Sequence, residues 1–139
     1  MIAGRIVMQV ILIGAGRYGN VLVGKKHKEG VFNTKLDAVV DTKINEIATK
    51  EDYNLGDTPR YTNFAQIPKE KITKDTIVEI AVNPEIIPAL FNELAQNNIK
   101  NVIFPKPVAT KYENYQKLIK DAINHNIRQL ELLTGIIPI

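Results

Sequence analysis

The chain has 139 residues, 18 basic and 15 acidic side chains, a net charge of +3 and no cysteine. That is enough for one domain with a real core, but short for an enzyme with separate cofactor and substrate domains. The missing cysteines exclude disulfides, thiol catalysis and cysteine metal sites and fit a reducing cytoplasm. No run nears the roughly 18 apolar residues of a membrane span, and no cleavable signal pattern precedes the first strand.

Met8-Gln9 reads as a natural start, so residues 1–8 are set apart as an N-terminal extension. A fully apolar run, Val10-Ile11-Leu12-Ile13, then meets Gly14, Gly16 and Gly19 in G-x-G-x-x-G spacing. In a dinucleotide site the first glycine allows the tight strand-to-helix turn and the second lets backbone approach a pyrophosphate. The third lets helix and strand pack closely. The phosphates then sit on free N–H groups at the helix start, where the dipole favours negative charge. The helix runs from Arg17 to about Lys28, with Tyr18, Val21 and Leu22 on one face, and Gly30 ends it. Its basic end, Lys25, Lys26, His27 and Lys28, reads as exposed; lysine is favourable at a helix C-terminus, and no nucleic-acid surface is expected. His27 and His125 read as surface residues with no metal-ligand spacing.

The second strand, Lys35 to Asp41, ends on an acid 22 residues after Gly19. The carboxylate that binds the adenosine ribose hydroxyls is expected about 20 residues on. It accepts from the 2′-hydroxyl and repels a 2′-phosphate, so Asp41 leans to NAD over NADP; Lys43 partly offsets that lean. The alternative is a plain parallel-sheet turn with a solvated acid. A short helix follows from about Ile44 to Lys50, then a loop over Asp52 to Pro59. Arg60-Tyr61-Thr62 reads as a short strand, with Phe64 and Ile67 as core anchors in a helical turn. Thr76 to Val82 is the fourth strand, rich in β-branched residues.

Asn83-Pro84-Glu85 has the composition of a helix start. That helix runs to about Asn97 with Ile86, Ile87, Leu90, Phe91 and Leu94 inward. Pro88 conflicts with a start at Pro84: either the first turn is irregular, or the regular helix begins near Pro88. Asn101 to Phe104 is the fifth strand, cut off by Pro105-Lys106-Pro107. Thr110-x-x-Glu113 is a capping box. It opens a helix with Tyr112, Tyr115, Leu118, Ile119, Ala122 and Ile123 inward and Asn126 as its stop. Ile127 to Leu133 reads as a sixth strand. Alternating strands and helices give a doubly wound parallel α/β sheet, a Rossmann fold over residues 9–133 with strand order 3-2-1-4-5-6. Its ligand crevice lies where the order reverses, between the carboxyl ends of strands one and four. Residues 134–139 form an apolar tail that wants a partner surface.

From about Gln9 to Leu133 the sequence resembles the N-terminal half of the Gfo/Idh/MocA family of NAD(P)-dependent oxidoreductases. The resemblance rests on G-A-G-R-Y-G-N, V-V-D, I-A-V-N-P and P-K-P-V-A-T, with Pro84 and Lys106 at the family's separation. It implies pyrophosphate contacts from Gly14, Ala15, Gly16, Arg17, Tyr18 and Gly19, and the adenosine ribose at Asp41 with Thr42 beside it. It also implies Asn83 and Pro84 on the nicotinamide side. Lys106 would match the catalytic lysine that positions substrate and cofactor and assists proton movement. The sequence departs from the pattern at Pro105, where the family has glutamate, at Asn83, where it has threonine, and at Pro88, where histidine is common. Family members continue into a second α/β domain that forms the substrate site. The chain is therefore expected to be a truncated or split oxidoreductase acting on a sugar, polyol or similar carbonyl or hydroxyl compound, weakly active or inactive alone. Its expected partners are a dinucleotide and either a second copy or a separate substrate-domain chain. Three other readings stand beside this one: a non-catalytic NAD-binding or scaffolding module, a degenerate domain that binds nothing, and S-adenosylmethionine binding. The last leaves P-K-P-V-A-T unexplained.

Overall fold

All four apolar residues of Val10 to Ile13 are buried, as a strand covered on both faces requires. They form the centre of the sheet in the computed structural model, which describes residues 7–16, 24–30, 33–104, 112–132 and 136–138. In chain order the elements are β1 (Met8–Ile13), α1 (Lys25–Lys28), β2 (Thr34–Val40), α2 (Ile44–Ile47), β3 (Arg60–Tyr61) and β4 (Ile77–Ile80). There follow α3 (Ile87–Gln96), β5 (Asn101–Ile103), α4 (Tyr112–Asn124), β6 (Arg128–Leu132) and β7 (Ile136–Pro138). The strand order is β3-β2-β1-β4-β5-β6-β7. The first six strands are parallel in the order predicted. Within the segment read as an apolar tail, Ile136–Pro138 adds β7 antiparallel to β6.

The two faces carry separate apolar layers. On one, Ile11, Ile13, Val78 and Ile80 meet Phe64, Ile67, Ile87, Phe91, Leu94 and Leu118. On the other, Val10, Leu12, Leu36, Val39 and Ile77 meet Ile44 and Leu55. β2 changes face part-way: Val10 pairs with Leu36 but Ile11 with Ala38, which leaves Asp37 as a bulge. The extra residue reverses the alternation. Thr34 and Leu36 therefore share a face that Ala38 and Val40 do not.

Pro88 is reconciled by splitting the helix. Pro84–Ile86 forms a 3₁₀ turn and the α-helix begins at Ile87, so Pro88 sits in the first turn, where a missing N–H costs little. The split corrects Ile86, predicted inward but 52% exposed: a turn of three residues does not carry the 3.6 period backwards. α4 is corrected in the same sense. Leu118 is buried and Ala122 partly so, whereas Tyr115, Ile119 and Ile123 are exposed. The helix meets the layer along a stripe narrower than its apolar face. The capping-box residue Thr110 lies outside the described residues.

Candidate dinucleotide site

The carboxyl ends of the central strands converge on Gly14. Its N–H donates to the carbonyl of Val40 at 2.8 Å, and the Ala81 N–H donates to the carbonyl of Ile13 at 2.7 Å. The turn is thus stitched to β2 on one side and to the end of β4 on the other. Gly14 has φ +100°, and a Cβ there would lie 2.4 Å from the Ala81 carbonyl oxygen. Only glycine fits, because both the backbone angle and the space exclude a side chain. Gly16 is different: among the described residues a Cβ there would meet nothing within 4 Å. The described residues thus leave that side of the Gly16 backbone open, as a turn that receives a pyrophosphate requires.

Asp41 closes β2 beside this turn. Its Oδ2 accepts the Ala15 N–H at 2.8 Å, and its Oδ1 accepts the Lys43 N–H at 2.8 Å. Ala15 is buried and Asp41 only partly so. The carboxylate therefore holds the glycine turn while keeping lone pairs toward solvent, since an ionised carboxylate accepts about four hydrogen bonds. Thr42 is exposed in the turn between β2 and α2, where the Ile44 N–H returns to the Asp41 carbonyl at 3.0 Å. Asn83 and Pro84 follow β4 on the same edge; Asn83 is exposed and its carbonyl accepts the Ile86 N–H at 3.0 Å. Gly14, Ala15, Gly16 and Asp41 are thus joined directly, with Thr42, Asn83 and Pro84 flanking them. Arg17, Tyr18, Gly19 and Lys106 lie outside the described residues. An open glycine turn, an adjoining carboxylate and a strand-order reversal fit a dinucleotide.

The model of an oxidoreductase family with an NAD-binding Rossmann fold, Gfo/Idh/MocA, matches residues 8–130. The chain belongs to this family. No curated protein matches it by sequence. Solved structures of similar fold include an oxidoreductase from Agrobacterium radiobacter in complex with NAD+, L-tartaric acid and magnesium. It superposes with a TM-score of 0.69 at 21% identity, covering 90% of this chain and 35% of that one. The WlbA dehydrogenase from Bordetella pertussis, in complex with NADH and UDP-GlcNAcA, gives 0.69 at 19% identity over 90% and 36%. The scyllo-inositol dehydrogenase from Lactobacillus casei, with bound NAD(H) and scyllo-inositol, gives 0.68 at 17% identity over 89% and 35%. The chain thus spans little more than a third of these proteins and corresponds to a Gfo/Idh/MocA dinucleotide-binding domain. Among the described residues no helix is long and apolar enough to cross a membrane, and no cluster of three His, Cys, Asp or Glu could hold a metal.

One polar group escaped the sequence reading. His27, expected at the surface, is wholly buried. Its Nδ1 lies 2.7 Å from the Thr34 hydroxyl and its Nε2 2.5 Å from Glu79 Oε1. The signal was present in β4: a glutamate inside an apolar strand needs a buried partner. Its neighbours Lys25, Lys26 and Lys28 are exposed as predicted. On the same layer, the Tyr53 hydroxyl is sealed from solvent, and among the described residues no group reaches it in full hydrogen-bond geometry. Burial pushes this phenol above its ordinary range, and the Arg60 guanidinium, 6.0 Å from the ring centroid, partly opposes the rise.

Proposed function

We propose that this domain binds NAD, with the pyrophosphate over Gly14 to Gly19 and the adenosine ribose on Asp41. The observation that supports it best is the Ala15 N–H bond to Asp41 Oδ2 beside the open face of Gly16. The bond aims a carboxylate at the turn, where it favours a ribose diol over a 2′-phosphate. Lys43 weakens that preference without reversing it. Asn83 and Pro84 line the nicotinamide side, and Lys106, just past β5, is the candidate catalytic residue. When bound, NAD accepts or supplies the hydride; the domain's own residues bind and orient it. By likeness to the dehydrogenases above, the reacting compound is a sugar, a polyol or a small hydroxy acid. Substrate walls lie outside these 139 residues, which span about a third of the similar dehydrogenases, so the 139 residues alone turn over little.

A second reading, a non-catalytic NAD-binding module, is favoured by Pro105, which stands where the family has a glutamate before the lysine. Both readings require binding. Titrating NADH fluorescence against the wild type and Asp41→Ala should give saturable quenching in the first and at least about tenfold weaker binding in the second. No quench in either protein would refute both. Efficient NAD-dependent oxidation of a polyol by the isolated chain would overturn the expectation of weak turnover.

A further inference from the structure

The layer that packs α1 onto the sheet is mainly apolar, and a buried polar bridge crosses it. Val10, Leu12, Leu36, Val39 and Ile77 form its floor, and among them sit His27 at 0%, Thr34 at 3% and Glu79 at 4% exposure. Thr34 opens β2 and Glu79 lies in β4, with β1 between those strands. The imidazole therefore spans β1 and ties α1 to both of its neighbours. The 2.5 Å contact between Nε2 and Glu79 Oε1 is a hydrogen bond with one proton between the two atoms. The Thr34 hydroxyl can donate to Nδ1 or accept from it. A buried acid and imidazole are retained at a cost in desolvation that apolar residues would not incur, which points to a job beyond stability.

The register indicates the job. Glu79 pairs across the ladder with Leu12, two residues before Gly14. Ala81, two residues beyond Glu79, has the carbonyl that leaves Gly14 no room for a Cβ and the N–H that bonds Ile13. Glu79 is thus two residues from the point where β4 meets the glycine turn. The bulge at Asp37 supplies the other end of the bridge, since it lets Thr34 face α1 while Ala38 and Val40 face the opposite layer.

We infer that His27 and Glu79 are positioning residues of the dinucleotide site, clamping α1, β2 and β4 so that the Gly14–Gly16 turn is held in register with Asp41. The inference rests on the proposed NAD reading for its effect on affinity, but not for its effect on the turn itself. Three variants test it: Glu79→Leu, Glu79→Gln and the double variant His27→Leu/Glu79→Leu. Each is measured by thermal melting, by NADH titration below its melting range, and by the NMR signal and hydrogen exchange of the Ala15 amide without ligand. Glu79→Gln keeps an acceptor for Nε2 and should stay near wild type in all three. Glu79→Leu should melt early and bind NADH about tenfold more weakly or worse, since small misplacements near a reacting site are costly.

The double variant decides the matter. Replacing both members of a buried pair by apolar residues restores stability in many proteins, so its melting temperature should recover. Its NADH affinity should stay at least about tenfold down, with the Ala15 amide shifted and exchanging faster. A double variant whose Ala15 amide matches wild type overturns the inference, as does one that binds NADH within about twofold of wild type. If wild type itself fails to quench NADH while the Ala15 amide responds as expected, the cofactor reading falls and the clamp stands.

Discussion

Gly14 and Gly16 belong to one motif, yet the structure gives them opposite roles, and alanine at each should separate folding from binding. At Gly14 an added Cβ meets the Ala81 carbonyl oxygen at 2.4 Å and its carbon at 2.8 Å, at φ +100°. That carbonyl belongs to the residue whose N–H is bonded to Ile13 at 2.7 Å, so it cannot retreat without opening the β1–β4 ladder. An L-residue in left-handed backbone costs about 1–2 kcal/mol and overpacking about 1–3 kcal/mol. Gly14→Ala should therefore lose about 2–5 kcal/mol, a large share of the roughly 5–15 kcal/mol that holds a domain together. A domain of this size then melts about 8–20 °C lower by circular dichroism. At Gly16 the added methyl meets none of the described residues, so stability should change by less than about 0.5 kcal/mol. That methyl occupies the space where backbone would approach the pyrophosphate, and NADH should bind at least about tenfold more weakly. A Gly16→Ala protein that binds NADH like wild type would show that the open face of the turn is not where the phosphates lie. A Gly14→Ala protein with unchanged melting would show that the Ala81 approach is not rigid.

Tyr53→Phe should stabilise the domain by about 1 kcal/mol in urea denaturation, because it deletes a buried hydroxyl that no described group reaches in full hydrogen-bond geometry; a loss of stability would show that Arg60 holds that oxygen. The same phenol fixes an alkaline effect. Its folded pKa is raised, chiefly by burial, so its contribution is intact below about pH 10, the ordinary tyrosine value. It is lost as pH rises through the folded value, because the unfolded chain ionises first. In Tyr53→Phe the decline of melting temperature above about pH 10 should be shallower. Pro88→Ala should change stability by less than about 1 kcal/mol, since Pro88 lies in the first turn of α3. A mid-helix proline would cost about 3 kcal/mol, and a gain of that size on its removal would place it there.

How much of this was written in the sequence depends on the range of the forces involved. The strand order followed from short apolar runs alternating with helices, because right-handed crossovers leave few topologies. The pairing of the glycine turn with Asp41 was legible because the fold fixes the end of β2 beside the end of β1. What the pattern could not carry were contacts set by packing depth. The period of α4 marks Tyr115, Ile119 and Ile123 as one apolar face with Leu118, yet among its described side chains only Leu118 and Ala122 join the core layer. His27 sat among three lysines and took on their character in the reading. Only the glutamate inside β4 hinted that a partner lay beneath the helix. The bulge at Asp37 left no mark at all in a run of alternating residues, although it decides which way Thr34 faces.

The bond from Ala15 to Asp41 changes what a carboxylate at the end of β2 means here. A side chain that merely awaited a ribose would be free in the empty site, and its removal would cost only the ribose contact. This one already accepts two backbone N–H groups, one from the glycine turn and one from Lys43. Among the described residues two of its roughly four lone-pair directions are used within the fold, and the others suit a vicinal diol. Sugar recognition and phosphate recognition are then one rigid unit, because the group that grips the ribose also fixes the amide that precedes Gly16. Asp41→Ala therefore removes an anchor of the turn as well as a ligand to the sugar, leaving the Ala15 N–H without this acceptor. Its loss of affinity should be matched in part by a probe with no ribose, inorganic pyrophosphate, which a pure sugar contact could not affect.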